Sequence, residues 1–191
     1  YRDEDLRADR VAEFTQLDIE MAFVDREDVM GLIEALYLDI AAKLSSKRVL
    51  NNPFPRLSYA DAIDRYGSDK MDMRYGLELM DVSNAVRGRG FRVFTEVLEN
   101  GGVVKALVAP GAASFSRRQI NELEQIVKAN GASGLATIAL GNDGSIRSAL
   151  ERFFGADGLK EIAQASGAGD GDLVCMVADT REVAATSIGE L

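Results

Sequence analysis

An α+β fold is predicted by three features of the sequence. Apolar and polar residues alternate with a period of two from Phe14. A period of three to four follows from Val29. Beyond Phe91, strand-like and helix-like segments interleave between Gly- and Asn-rich turns.

The first element is read in Phe14-Thr15-Gln16-Leu17-Asp18-Ile19-Glu20-Met21-Ala22-Phe23-Val24. Leu17, Ile19, Met21 and Phe23 fall on one face, with Gln16, Asp18 and Glu20 on the other, as a strand with one face in a core requires. Two readings of the polar face stand, a solvated outer surface or the wall of a polar pocket, and the pattern alone favours the first. The stretch before it, Arg2 to Glu13, is dense in charge and reads as a polar loop feeding the strand or as a frayed terminus.

From Asp25 a helix is predicted, because Val29, Leu32, Ile33, Leu36, Ile40 and Leu44 form one apolar stripe. Asn51-Asn52-Pro53-Phe54-Pro55 breaks it, since proline disfavours helix in the preceding residue. Ser58 caps a short helix that Gly67 closes, with Asp61 at the capping-box position where Glu or Gln is usual. Phe91–Leu98 and Val103–Ala109 are read as strands joined by Asn100-Gly101-Gly102. Ser116 with Gln119 makes a capping box before Ile120, Leu123, Ile126 and Val127, and Asn130-Gly131 ends that helix. Leu135–Leu140 is a strand, Ile146–Phe154 and Leu159–Ala165 are helical, and Leu173–Val177 is a buried strand. Thr180 is the N-cap of a last helix to Ile188. Residues 90–180 therefore read as a two-layer α+β module. No repeat or low-complexity tract interrupts the chain.

Composition narrows the chemistry. The 191 residues are 47% hydrophobic and 28% charged, the balance of one large globular domain or two small ones. Lys and Arg number 22 against 31 Asp and Glu, a net charge of −9, which argues against a general binder of phosphate backbones. With no His, imidazole acid–base catalysis and His metal sites are excluded within these residues. One cysteine, Cys175, allows neither an internal disulfide nor a thiolate cage and fits a reducing compartment. No apolar run of about 18 residues is present to span a membrane. The N-terminus is charged at once, resembles no signal peptide and lacks an initiator Met, so the chain is expected to be cut from a longer one.

Several stretches invite a chemical reading. The loop Gly167-Ala168-Gly169-Asp170-Gly171-Asp172 lacks the Lys and hydroxyl of a phosphate loop and reads as a tight turn. Gly111-Ala112-Ala113-Ser114 followed by Ser116-Arg117-Arg118 opens a helix and is a minor candidate for an anion site. Val86-Arg87-Gly88-Arg89-Gly90-Phe91-Arg92 is the most basic run, and with Phe91 and Phe94 it is a candidate RNA contact. A solvated turn between modules is the favoured reading. Asp157, Asp170, Asp172 and Asp179 lack the spacing of a calcium loop, and no metal site is expected. In the first twenty residues, Arg2 and Glu4 share one strand face. If that strand pairs with the one from Phe14, a single polar surface collects a guanidinium, an aromatic ring and several carboxylates. A guanidinium suits an α-phosphate or a carboxylate, a carboxylate accepts from an exocyclic amine, and a ring stacks on a purine. Those are the needs of an enzyme that activates an amino acid with ATP.

The string Tyr1-Arg2-Asp3-Glu4-Asp5-Leu6-Arg7-Ala8-Asp9-Arg10, then Glu13-Phe14-Thr15-Gln16-Leu17-Asp18-Ile19-Glu20, closely resembles motif 2 of bacterial-type aspartyl-tRNA synthetases, which are class II enzymes. Phe54 to Ala62 and Arg65-Tyr66-Gly67-Ser68-Asp69-Lys70 resemble the block that follows. The later module, with Val108 to Ser114 and Asp170-Gly171-Asp172, is similar to the family's inserted GAD domain, also found in GatB/GatE amidotransferase subunits. The resemblance implies part of a class II antiparallel sheet with helices over residues 1–88, a GAD-like domain over 89–180, and a return helix over 181–191.

It also implies that Arg2 bridges the α-phosphate of ATP and the aspartate carboxylate, as the catalytic residue. Asp3 and Glu4 meet the adenine amino group, Phe14 stacks on adenine, and Asp18 holds the aspartate ammonium group beside Gln16 and Glu20. The loop from Asp5 to Glu13 approaches the acceptor end of tRNA. The partners implied for the parent are L-aspartate, ATP with magnesium, and tRNA, in a cytoplasmic homodimer, with no cofactor bound by this chain alone. Two departures stand out. Val11-Ala12 follows Arg10 where the family has Gln-Pro, and Met71 replaces a proline after Ser68-Asp69-Lys70. Motif 1, motif 3 with its second ATP-binding arginine, and the magnesium carboxylates have no counterpart here, so the fragment is expected to be inactive. The alternative is a non-catalytic module docking tRNA or a protein. An amidotransferase subunit is disfavoured, because motif 2 has no place there.

Overall fold

Asp25 opens the first long element by closing a reciprocal cap. Its carboxylate accepts from the amides of Glu27 and Asp28, while its own amide donates to the Asp28 side chain at 3.0 Å. Glu27 and Asp28 in the first turn and Lys43 in the last match the helix dipole. The computed structural model describes residue 3 and residues 5–191, and it places this helix, α1, at Arg26–Leu44. The chain divides into two compact units, Tyr1–Pro55 and Arg56–Leu191.

In the first unit no residue of α1 is buried. Ile33 and Leu36 of the predicted stripe are half-buried, while Val29, Leu32, Ile40 and Leu44 are exposed. The strand expected over Phe14–Val24 is not formed among the described residues. Among the described residues no segment pairs with it, and a strand exists only where a neighbour takes its backbone hydrogen bonds. Its apolar face is accordingly exposed at Leu17, Ile19, Met21 and Phe23. Phe23 itself sits at φ 58, which ends the alternation.

The second unit is built on a five-stranded antiparallel sheet. Its elements are α2 (Tyr59–Tyr66), a 3-10 turn (Met73–Tyr75), β1 (Met80–Asp81), α3 (Ser83–Val86), α4 (Arg92–Glu99), β2 (Val103–Ala109) and α5 (Arg117–Ala129). They continue as β3 (Ala136–Leu140), β4 (Ile146–Arg147), α6 (Glu151–Ser166), β5 (Leu173–Asp179) and α7 (Arg181–Gly189). The strand order is β1-β2-β5-β3-β4. β2 pairs with β5 from Val103 opposite Asp179 to Ala109 opposite Leu173, and β3 pairs with the first half of β5.

Alternation along the central strands feeds two cores. Val104 and Ala106 of β2 with Val174, Met176 and Ala178 of β5 pack against α3, α4 and α6. Val103 and Leu107 with Leu173, Cys175 and Val177 pack against α5 and α7, with Ile63 of α2 at the margin. The α+β class is as expected, but helices cover both faces of the sheet, so three layers stand where two were anticipated. The continuous apolar run Leu173–Val177 is the trace of that double burial.

Two further segments differ from their sequence reading. Phe91–Leu98 was expected as a strand and is instead α4, because Phe91, Phe94 and Leu98 recur at three and four and bring one face into the core. Ile146–Phe154 was expected as helix. Ile146 and Arg147 instead form β4 beside Leu140 and Ala139, and the helix begins only at Glu151. The rest of that segment and the second predicted helix, Leu159–Ala165, both fall in α6, which a non-helical residue, Gly155 (φ 62, ψ 173), divides into two helical pieces as the sequence predicts. The caps at Ser58, Ser116 and Thr180 are all in place, each hydroxyl accepting from the amide three residues on.

Candidate functional site

The charged run that feeds Phe14 reverses direction sharply. Arg7 and Arg10 exchange both backbone hydrogen bonds, at 3.2 and 3.1 Å, so Ala8 and Asp9 form the tip of a tight turn. A turn of this kind is what a polar surface shared between two arms needs at its end. Among the described residues the pairing extends no further than this one bridge. Asp3, Gln16, Asp18 and Glu20 are exposed, and Phe14 is 44% exposed. Arg2 and Glu4, the cation and carboxylate expected on the first arm, lie outside the described residues.

The block after the proline-rich break is held by its own ion pairs. Arg65 donates from Nε and Nη2 to the two carboxylate oxygens of Glu78, at 3.0 and 2.7 Å, and the Tyr66 hydroxyl donates to the same carboxylate at 3.0 Å. The Arg65 hydrogen bonds hold the Glu78 carboxyl below its ordinary range against a partial burial that opposes them. Burial and the Glu78 hydrogen bond raise the Tyr66 phenol. Lys105, in the middle of β2, is buried at 1% exposure and reaches the Asp64 carboxylate at 2.8 Å and the Asp64 carbonyl at 3.1 Å. Arg181 binds the same carboxylate at 2.6 Å and approaches Asp81 at 3.8 Å. Sequence reading missed this cluster, because Lys105 sits in an otherwise apolar strand far from its partners in sequence.

The basic run at 86–92 does not form a stacking platform. Phe91 and Phe94 meet edge-to-face with centroids 4.8 Å apart, and Phe153 and Phe154 pack beside them, so the rings belong to the core. Arg89 is paired with Glu161 and Arg92 with Glu96. The solvated-turn reading is the one the structure supports.

The loop 109–115 also spends its amides internally. Ala112, Ala113 and Phe115 donate to the carbonyls of Ala109, Gly171 and Ala112, and Gly111 donates to Asp172 at 3.0 Å. The second oxygen of Asp172 accepts from Gly169, also at 3.0 Å, so this carboxylate ties two loops together. The sequence reading of 167–172 as a tight turn is therefore right, with Asp172 as its fastener. Cys175 lies in the core, where burial pushes its thiol up to about 12. Among the described residues no group of three or more His, Cys, Asp or Glu side chains is placed to hold a metal ion, and no helix is long and apolar enough to cross a membrane.

Comparison with known proteins joins these pieces. A family model described as class II tRNA synthetases (D, K and N) matches residues 1–181. Over all 191 residues the chain is 48% identical to the aspartate–tRNA(Asp/Asn) ligase of Moorella thermoacetica and 47% identical to that of Desulfatibacillum aliphaticivorans. It is 43% identical over the same length to the aspartate–tRNA ligase of Clostridium novyi. Each alignment covers the whole of this chain and 32% of the relative, so the chain spans about a third of the length of these curated relatives.

Proposed function

The chain belongs to the class II tRNA synthetases (D, K and N), and from that premise we propose that it is the stretch of an aspartate–tRNA ligase that carries motif 2 and an inserted α+β domain. The observation that carries this reading is 48% identity, over the whole of this chain and 32% of the relative, with the aspartate–tRNA(Asp/Asn) ligase of Moorella thermoacetica. The turn at Arg7–Arg10 supports it, since it sits where the motif 2 loop must reverse. Residues 1–88 then belong to the catalytic domain, 89–180 to the GAD-like insertion, and 181–191 lead back. The parent is a cytoplasmic homodimer.

In this reading Arg2 is the catalytic cation. Its guanidinium makes parallel hydrogen bonds to the α-phosphate and the aspartate carboxylate, and so holds both reactants at once. Glu4, with Asp3 beside it, accepts from the adenine amino group, and Phe14 stacks on the ring. Asp18 binds the aspartate ammonium group, with Gln16 and Glu20 completing that polar face. A carboxylate oxygen of aspartate attacks the α-phosphorus as the bond to pyrophosphate breaks, and pyrophosphate leaves with the electron pair. A hydroxyl of the terminal adenosine of tRNA then attacks the mixed anhydride and releases AMP. Neither step needs a histidine. The residues contribute position and charge, with Arg2 facing the negative charge that builds at phosphorus. Magnesium accompanies ATP as part of the nucleotide substrate. Val11-Ala12 supplies no amide side chain where the family has one, so nucleotide affinity rests more heavily on Arg2, Glu4 and Phe14.

Aspartate-dependent ATP–pyrophosphate exchange by the full-length polypeptide that contains these residues tests the reading. Arg2→Ala is expected to lower kcat/KM by roughly 10²–10³, as loss of one charge-stabilising donor does. Asp18→Asn should raise KM for aspartate by about tenfold or more, the cost of losing a charged hydrogen-bond partner. Phe14→Ala should raise KM for ATP by about tenfold through lost stacking. The 191-residue span by itself should show no exchange. Exchange that Arg2→Ala leaves undiminished, or that depends on another amino acid, overturns the assignment.

A further inference from the structure

In a chain with a net charge of −9, a concave surface free of carboxylates is unexpected. One such groove, of about 620 Å3, opens in the unit 56–191 between the start of α5 and the β3–β4 edge of the sheet. None of its lining residues is acidic, and two are arginines, Arg117 from α5 and Arg147 from β4. Arg147 reaches this groove because β4 folds back beside β3.

The two guanidiniums are available in different ways. Arg147 spends one N–H on the Ala113 carbonyl at 2.5 Å, which fixes the group while leaving its other donors. Asp143 feels the charge of Arg147 but does not line the groove. Arg117 takes part in no ion pair among the described residues, whereas its neighbour Arg118 is held by Glu122 at 2.9 Å. The helix end adds little by itself. The Ser116 hydroxyl already accepts from Gln119, and the amides of Gly111, Ala112, Ala113 and Phe115 before it are bonded.

The rest of the lining has two characters. Ala139 and Leu173 form an apolar floor on the sheet, while Ser114, Asn121 and Thr137 offer neutral polar groups. The volume lies within the ~300–1,000 Å3 of small-molecule sites, which likewise join an apolar body to a few convergent polar groups.

We propose that this groove binds a small phosphate monoester of mononucleotide size, with Arg117 and Arg147 on the phosphate and the sheet floor under the base. An extended RNA backbone fits less well. It needs a basic stripe that meets several phosphates in succession, and the most basic run of the chain packs on the other face of the sheet, with Arg89 and Arg92 neutralised by Glu161 and Glu96. The groove lies in a different compact unit from the motif 2 residues, so the inference does not rest on the ligase assignment.

Calorimetric titration of the 191-residue chain with AMP, adenosine, inorganic phosphate and a single-stranded oligoribonucleotide tests this. AMP is expected to saturate one site, phosphate to bind more weakly and adenosine not at all. Arg117→Gln, a surface change that leaves the fold intact, should weaken AMP by about tenfold or more, and Arg147→Gln likewise. The proposal is overturned if AMP does not saturate at millimolar concentration or if Arg117→Gln binds it as tightly as the parent chain. It is equally overturned if binding vanishes in Arg2→Ala instead, which marks motif 2. Phosphate binding as tightly as AMP removes the role of the floor, and affinity that grows with oligonucleotide length assigns the groove to RNA; either result overturns it.

Discussion

Lys105 is the residue whose energetics are most exposed to test. An ammonium group buried to 1% exposure in the middle of a sheet is tolerable only because Asp64 supplies both a carboxylate and a carbonyl. Asp64→Ala removes the charge partner and leaves the cation buried. It should cost ~3 kcal/mol, near the low end for breaking a buried pair because the Asp64 side chain is itself 40% exposed. Lys105→Met removes the need for the pair and should cost under ~1 kcal/mol. Urea denaturation of both variants reads this asymmetry, and equal costs refute it. The pH dependence carries the same signature. Burial works to raise the Asp64 pKa, but the hydrogen bonds and charges of Lys105 and Arg181 outweigh it and hold the carboxyl below its usual 3.8. A carboxyl lowered on folding contributes stability above its unfolded pKa and loses it as pH falls through the folded value. The gap between the parent chain and Asp64→Ala should therefore be full above about pH 5 and narrow below about pH 4. At this scale the sequence was a partial guide. The alternation from Phe14 predicts a strand with a polar face of Gln16, Asp18 and Glu20, but among the described residues that strand is not formed and both sets of side chains are exposed; only the turn at Arg7–Arg10 is present. Nothing local to Lys105 pointed to Asp64, because that partnership exists only once α2 docks beside β2.

Elements were legible where a terminus declares itself chemically. Asp25, Ser58, Ser116 and Thr180 each mark a helix start, and each hydroxyl or carboxylate makes the cap hydrogen bond its position implies. Period was the weaker signal. Phe91–Leu98 is rich in aromatic and β-branched residues, so it satisfies a strand pattern and a helix pattern together, and only the packing of Phe94 and Leu98 against the sheet decides between them. Invisible altogether was the closeness of α2 and α7. A Cβ on Gly189 would stand 2.6 Å from the Tyr66 carbonyl oxygen and 2.9 Å from the Gly67 Cα, and one on Gly67 would collide with the Ala185 carbonyl oxygen. The two helix ends touch backbone to backbone, so Gly67 acts both as a left-handed cap at φ 72 and as a spacer. Gly67→Ala should cost about 3 kcal/mol from strain and overpacking together. Gly76→Ala, at φ 66 with nothing near its Cβ, meets only the backbone strain and should cost about 1 kcal/mol. Chemical denaturation distinguishes the two, and similar losses would mean that the α2–α7 contact yields at no cost.

Over the whole molecule the two compact units differ in how burial is supplied. In 56–191 the central strands are covered on both faces, and Val104, Val174, Met176 and Val177 are wholly inaccessible. In 1–55 the nineteen-residue α1 has caps, dipole-matched ends and an apolar stripe, yet buries no residue completely. Caps and propensity hold a helix of that length only marginally in water, since most helical stability in proteins comes from packing an apolar face. Local opening should therefore be easy in α1 and rare in β2 and β5, because protection tracks buried apolar contact. Native-state hydrogen exchange on the 191-residue chain should show the amides of Val29–Leu44 exchanging at least about tenfold faster than those of Val174–Val177, a gap of roughly 1.4 kcal/mol in opening free energy. Equal protection in the two segments would mean that the apolar stripe of α1 is covered in solution, for example by a second copy of the chain, and protection that rises with protein concentration would identify that cover. If the stripe and the exposed face of Leu17, Ile19 and Met21 are covered by further residues of a full-length aspartate–tRNA ligase, the same amides should slow markedly in that polypeptide, and unchanged exchange there refutes such a cover.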